Sequence, residues 1–337
     1  MDIEVIHDTH YAYAAPVSLA HHLAHLQPLQ DDAQRLLSFS LLIDPLPAPP
    51  NASPVASLDA MGNAQCHFSL AQPHQRLHVR SSSRVRLAPR FVGLQAEASP
   101  PWVEVAARLR YVAGAAFEPA TEYAMPSPYV PRLRALRDYG AASLAPGRPL
   151  AAAAIELMQR VHADFRFEAH STDIDTPLTQ VLQQRSGVCQ DFAHLLAGVL
   201  RMWGLPARYV SGYLLTHAPE GGVKLQGADA SHAWVQVWCP GTPGVGADEW
   251  LDLDPTNNVV PGTAGSGHVR VAVGRDFGDV TPLRGVVRGG GRHTLSVGVT
   301  TRCLPDHRGG VSDEPRAEAA EPERRLLQSN SMESERT

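Results

Sequence analysis

Cysteine is sparse in this chain: its 337 residues include four, Cys66, Cys189, Cys239 and Cys303. They lie far apart, with no Cys-x-x-Cys pair and no Cys/His ligand spacing. A disulfide scaffold and a zinc site are therefore not expected, and in a reducing compartment the thiols should be free. Long apolar runs are missing as well, since none approaches the roughly 20 residues needed to cross a bilayer. The start, Met1-Asp2-Ile3-Glu4-Val5-Ile6-His7, has no basic stretch leading into an apolar one. No signal peptide is expected, and the cytoplasm is the expected compartment. There is no basic excess either: Lys and Arg total 29 against 34 Asp and Glu, a net charge of -5. No basic cluster is interleaved with aromatics, so neither a nucleic-acid partner nor a membrane partner is expected.

What the chain does contain is globular. Apolar residues make up 44% and charged residues 19%, and the length points to two domains plus tails. Residues 1–90 read as a β-rich, sandwich-like domain. Leu77-His78-Val79-Arg80 and Val85-Arg86-Leu87 alternate, and Asp44-Pro45, Pro49-Pro50-Asn51 and Met61-Gly62-Asn63 are turn signals. His7, His10, His21, His22 and His25 crowd this region, but no acid partner or fixed ligand spacing accompanies them. They read as scattered surface and turn residues. Residues 91–148 form a connector with Pro-rich stretches and a short helical pattern near Val103–Tyr111. Residues 149–303 change character: Ala151–Phe167 carries Ile155, Met158, Val161 and Phe165 at helical spacing. A further helix and several strands follow, an α+β order. The charged, apolar-poor stretch 304–337 reads as a disordered tail.

The sharpest local signal is Ser186-Gly187-Val188-Cys189-Gln190-Asp191. After it, Phe192, Leu195, Leu196, Val199, Leu200 and Trp203 form a one-faced helical stripe. Gly204-Leu205-Pro206 ends it. Ser186 is the expected N-cap, which puts Cys189 in the first turn. There the unpaired N–H groups and the positive end of the helix dipole favour a thiolate and can stabilise an oxyanion. The helix alone leaves two readings open for Cys189, a nucleophile or a small buried hydrophobe. Asp191 reads as a first-turn dipole partner, and His194 as a structural or surface residue pointing away from Cys189. Gln183 and Gln184 are close enough to donate to an oxyanion, or are ordinary loop residues.

Two strand patterns supply a base and an orienter. In Ser231–Cys239, Val235, Val237 and Cys239 share one face, while His232, Trp234, Gln236 and Trp238 share the other. A Gly/Pro loop leads to Trp250-Leu251-Asp252-Leu253-Asp254-Pro255. An antiparallel hairpin sets the start of its first strand beside the end of its second, so Asp254 can reach His232. There a carboxylate would fix the imidazole tautomer and stabilise the imidazolium. Asp252, one pair further in on the same face, is the second candidate orienter, and Asp229 a third that reads better as a turn cap. Trp234 and Trp238 either wall a substrate groove or cover the sheet face.

Four ordered blocks then carry a family. Gly187-Val188-Cys189-Gln190-Asp191, Leu200-Arg201-x-x-Gly204-Leu205-Pro206-Ala207-Arg208-Tyr209-Val210-Ser211-Gly212-Tyr213, Ser231-His232-Ala233-Trp234-Val235 and Leu253-Asp254-Pro255-Thr256-Asn257 together resemble the bacterial transglutaminase-like superfamily, often labelled cysteine proteases. His268–Val280 resembles the block that follows that family's core. Tyr11-x-Tyr13, Pro16-Val17 and Asp59-x-x-Gly62-Asn63 resemble its bacterial N-terminal β domain. The resemblance implies a papain-like α+β core, Cys189 as nucleophile, His232 as base, Asp254 as orienter, and no metal or organic cofactor. It implies acyl transfer from a peptide or protein amide through a thioester. Hydrolysis by a peptidase or amidase is the preferred outcome and amine cross-linking the alternative. A non-catalytic peptide-binding module on the same fold is the reading from a different class. A redox or metal protein using Cys189 lacks the second cysteine it would need.

Overall fold

A computed structural model describes residues 1–47, 54–114, 116–169, 171–215, 231–263 and 265–305. The turn expected at Pro49-Pro50-Asn51, Asp229 and the tail from 306 onward lie outside the described residues. The chain begins with β1 (Asp2–Ala24), β2 (Gln34–Asp44), β3 (Val55–Leu58), β4 (Ala64–Leu70) and β5 (His74–Leu87). Strict alternation buries Ile3, Val5, His7 and Thr9 on one face of β1, as period two requires. The other face is a cross-strand ladder in which Asp2, Glu4 and Asp8 pair with Arg86, Arg84 and Arg80 of β5. Most of these arginines are half exposed, so the ladder fixes register more than it adds stability.

Helices α1 (Trp102–Arg108) and α2 (Arg134–Gly140) occupy the connector. Helix α3 (Leu150–Asp164) follows and stops where Phe165 turns extended. Its Ala151–Ala154 run is fully buried while Ile155 is only half-buried. The buried face is therefore centred on small residues, and these let neighbouring elements approach closely. Next come β6 (Arg166–Phe167), α4 (Leu178–Gln184), β7 (Ser186–Gly187) and α5 (Cys189–Met202). Last in this half are β8 (Ala207–Leu214), β9 (Ser231–Trp238), β10 (Trp250–Leu253) and β11 (His268–Gly274). The four last strands form an antiparallel sheet in the order β10-β9-β8-β11. The apolar stripe of α5 covers one face of it, with Phe192, Leu195, Leu196, Val199 and Leu200 essentially inaccessible. The fold class is α+β: helices packed on a four-stranded antiparallel sheet, joined to a β-rich N-terminal region.

The chain then returns to its beginning. β12 (Leu283–Gly289) and β13 (His293–Leu304) both pair with β1, making a seven-stranded sheet. The sequence places residues 283–303 with the 149–303 core and Leu304 in the tail, whereas β13 runs to Leu304. The alternation of these strands is legible locally, but the choice of a partner nearly 300 residues away is a tertiary matter that no local pattern carries. β1 can serve four partners because it is long and bulged between Ala12 and Leu19. Its first half pairs with β5 and β13, and its second half with β4 and β12.

Two side-chain amides lock the N-terminal sheet to the core. Gln34 accepts from the Arg270 N–H at 2.8 Å and donates to the Arg270 carbonyl at 2.7 Å. Asn63 does the same at Val273, at 2.7 and 2.8 Å. Each amide imitates a peptide unit, so the free edge of β11 is satisfied without another strand. The Asp59 carboxylate holds Asn63 by accepting from its N–H and its side-chain amide. Asn63→Ala would leave a buried N–H and C=O of Val273 unpaired. We expect it to cost about 2–3 kcal/mol, read as a lowered urea midpoint.

Candidate active site

Cys189 owes its place to the segment before it. α4 ends at Arg185, whose φ of 53° is left-handed, and β7 is then held extended by parallel pairing with β6. Helix α5 starts at Cys189 with Val188, not Ser186, as its N-cap; Ser186 lies in β7. The reason is Asp191, three positions into the helix. Its carboxylate reaches back to accept from the Val188 N–H at 2.8 Å and from the Thr172 hydroxyl at 2.6 Å. The cap therefore comes from inside the helix. Burial pushes the Asp191 carboxyl up, against these two bonds. Gly187 makes room for it, since a Cβ there would lie 2.7 Å from Asp191 Oδ2. The first-turn N–H groups of Cys189 and Gln190 have no partner within the helix.

β9 carries His232 to this helix start. In the hairpin, Leu253 pairs with Val235, and Asp254 follows just past the pairing, bridged to Val259. His232 Nε2 and Asp254 Oδ2 are 2.8 Å apart, and Asp254 is completely buried. The same carboxylate accepts from the Thr256 and Asn257 N–H groups at Oδ1 (2.9 and 3.2 Å). At Oδ2 it accepts from the Asn257 amide at 2.7 Å and meets His268 Nε2 at 3.0 Å. With Nε2 committed to Asp254, Nδ1 is the His232 nitrogen left for the thiol.

The electrostatics follow from this crowding. Burial works against the His232 imidazolium, but its bonds to Asp254 and Cys189 and their charges outweigh it and push it up to about 10. Burial likewise works against the Asp254 carboxylate, yet the bonds from His232 and His268, the His232 charge and Asn257 hold it far below the usual range. Asp254 thus stabilises the fold fully above its unfolded value of 3.8, and that contribution is lost as pH falls toward the folded value. His232 acts on the other side: its contribution is complete below 6.5 and fades as pH rises through about 10. Asp254→Asn should therefore show a shallower fall in melting temperature than the unaltered protein between about pH 5 and pH 2. It should also lose less stability at alkaline pH.

The other residues named from the sequence have different engagements. Asp252 accepts from Trp234 Nε1 at 2.6 Å and pairs with Arg90, which also meets Asp248; none of these bonds involves His232. Trp234 and Trp238 are buried and cover the sheet. His194 is buried, with burial driving its imidazole down to about 3, and accepts from the Phe277 N–H at 3.1 Å. The Gln184 amide donates to the Ser186 carbonyl. The N-terminal histidines separate: His7 bonds Tyr213 and Thr9, His10 stacks on His78, and His22 stacks on Phe68. Of these five, His7, His22 and His25 are buried rather than at the surface: His7 and His22 face inward from β1, and His25 follows just past its end. Among the described residues, Asp8, His10 and His78 form one triplet with donor atoms close enough for a cation, and His232, Asp254 and His268 another. Arg80 already occupies both Asp8 oxygens, and hydrogen bonds already link the second triplet. Asn257 and His268 went without a role in the sequence reading. Asn257 could have been found, because an Asp followed by two free N–H groups is a side-chain turn. His268 sits on a different strand and had no local signal.

Residues 3–86 match the bacterial transglutaminase-like N-terminal region, and residues 139–255 match the transglutaminase-like superfamily. An uncharacterised Mycobacterium tuberculosis protein is 39% identical over 285 residues, covering 84% of this chain and 86% of its own length. A protein-glutamine gamma-glutamyltransferase of Pseudomonas aeruginosa is 33% identical over 132 residues, 39% of this chain and 19% of that one. Among solved structures, a Cytophaga hutchinsonii protein described as a "putative cysteine protease" shares the fold. Its TM-score is 0.66 at 18% identity, covering 92% of both chains. No helix among the described residues is long and apolar enough to cross a membrane.

Proposed function

The chain belongs to the transglutaminase-like superfamily, and from that premise we propose that it is a thiol acyl-transfer enzyme acting on peptide or amide bonds. Cys189 is its nucleophile, His232 its acid–base group and Asp254 the residue that orients His232. The observation that carries this is the buried 2.8 Å His232–Asp254 bond on a ring that also engages a cysteine at a helix start. His232 takes the thiol proton and Cys189 Sγ attacks the amide carbon. The developing oxyanion meets the first-turn N–H groups of α5. The C–N bond breaks as His232 returns the proton to the departing amine, leaving a thioester. Water, losing its proton to His232, then releases the acid and restores the thiol. A primary amine in its place gives a new amide, and the kinship with a gamma-glutamyltransferase favours keeping this second outcome.

A peptide pool incubated with and without an added primary amine, read by mass, tests both. Cleavage products in both samples support hydrolysis, while amine-mass adducts that form at the expense of acid support transfer. No product in either sample from folded protein with intact Cys189, across a pool of broad sequence, would count against the proposal.

A further inference from the structure

His268 is held by two groups that only accept. Its Nδ1 lies 2.7 Å from the Ser266 carbonyl oxygen, and its Nε2 lies 3.0 Å from Asp254 Oδ2. A carbonyl has no proton to give, and Asp254 is a carboxylate with four other N–H donors pointed at it. A neutral imidazole has one N–H, so it would face one of these acceptors with a lone pair. The ring is buried, with its side chain 3% exposed, so a lone pair facing an acceptor there is costly. From this geometry we propose that His268 is a doubly protonated positioning residue. It donates to Ser266 and Asp254 at once and fixes the carboxylate that orients His232.

The surroundings fit. His268 lies edge-on to Trp234, with ring centroids 5.2 Å apart, and 5.8 Å from the His232 ring. The nearby charges are otherwise paired: Arg270 with Asp31, and Arg90 with Asp248 and Asp252. No other cation among these is committed to Asp254. When Cys189 and His232 form a thiolate–imidazolium pair, Asp254 would leave the buried cluster with a net negative charge. The His268 imidazolium balances it. Both His268 nitrogens are engaged by Ser266 and Asp254, so the ring has no place in the proton transfers. It acts through Asp254, and its kinetic consequence rests on the acyl-transfer reading, whereas its protonation does not.

A cavity of about 160 Å³ adjoins the ring, lined by Arg90, Trp234, Asp252, Gly262, Gly267 and His268 among others, and not by Cys189 or His232. A small cation can therefore approach the His268 position without blocking the reaction, which makes chemical rescue a usable test. Two measurements separate the parts of the proposal. The first is nitrogen NMR of ring-labelled histidine, with His268 assigned by comparison with His268→Gln. At neutral pH both His268 nitrogens should be protonated. A spectrum with one protonated nitrogen overturns the proposal whether or not the protein is an amidase.

The second is kinetic. In folded His268→Ala, kcat should fall on the order of tenfold or more, a share of what a well-oriented acid–base group supplies, with KM little changed. Added imidazole should restore part of it. Expressed relative to the unaltered enzyme at the same pH, the rescue should be strongest where imidazole is protonated. His268→Gln keeps a donor for Asp254 without the charge, so it should retain more activity than His268→Ala, and it serves if the alanine variant does not fold. Full activity in either folded variant, or rescue that strengthens as imidazole loses its proton, would overturn the positioning role.

Discussion

Cys189→Ala should abolish turnover while leaving the fold intact. The side chain is half-buried and packs at the rim of the core rather than within it, so its removal opens only a small space. The reaction, by contrast, loses the atom that forms the bond. A loss of roughly 10^4-fold or more is expected, with any residue of activity coming from substrate positioning and the helix-start donors. Cys189→Ser should recover little. A hydroxyl at this position gives up its proton to His232 far less readily than a thiol does. Substrate should still bind to both variants, so a peptide that the unaltered enzyme consumes should be protected intact by them. Unchanged turnover in either would remove the cysteine from the mechanism.

The second large effect is a contrast between neighbouring acids. Asp254→Ala should lower kcat/KM by about 10^3- to 10^4-fold, the scale seen when the orienting acid of a triad is lost. His232 would lose the partner that fixes its tautomer and holds its charge. Asp252→Ala should behave differently. It leaves the Trp234 N–H and the Arg90 guanidinium without their buried partner, and breaking such a pair costs about 3–5 kcal/mol of stability. Per folded molecule, its activity should remain much nearer the unaltered value. Asp254 is itself buried and multiply bonded, so Asp254→Ala costs stability as well; kinetics normalised to the folded fraction from thermal melts separate the two. A stable but inactive Asp252→Ala with an active Asp254→Ala would reverse the assignment of the orienter.

These two acids show what the sequence could and could not convey. Period two put both on the same strand face, and the hairpin brought the strand end to His232. What separates them is that Trp234 and Arg90 engage Asp252, and Arg90 comes from a segment about 160 residues away. The same division runs through the rest. The α5 stripe and its stop at Gly204 were legible, because helix periodicity and a glycine with φ of 76° are local properties. The N-cap was misplaced by two residues, because Asp191 reaches backward and Ser186 is drawn into a strand pair. The return of β12 and β13 to β1, and the amides of Gln34 and Asn63 on β11, are meetings of distant segments. His268 is of that kind too. Its place beside Asp254 depends on the edge position of β11, which only the assembled sheet determines.

The central claim is that Cys189 is an activated nucleophile, and the pH dependence of thiol alkylation tests it most directly. Cys239 is buried and Cys66 half-buried, and burial pushes both thiols up. Cys303 is the exposed one, whereas Cys189 is only partly accessible. Accessibility alone therefore favours Cys303. Brief treatment with iodoacetamide at mildly acidic pH, followed by peptide mass analysis, should instead find Cys189 labelled first, with activity lost in step. Cys303 labelled as fast as Cys189 or faster under those conditions would contradict the account.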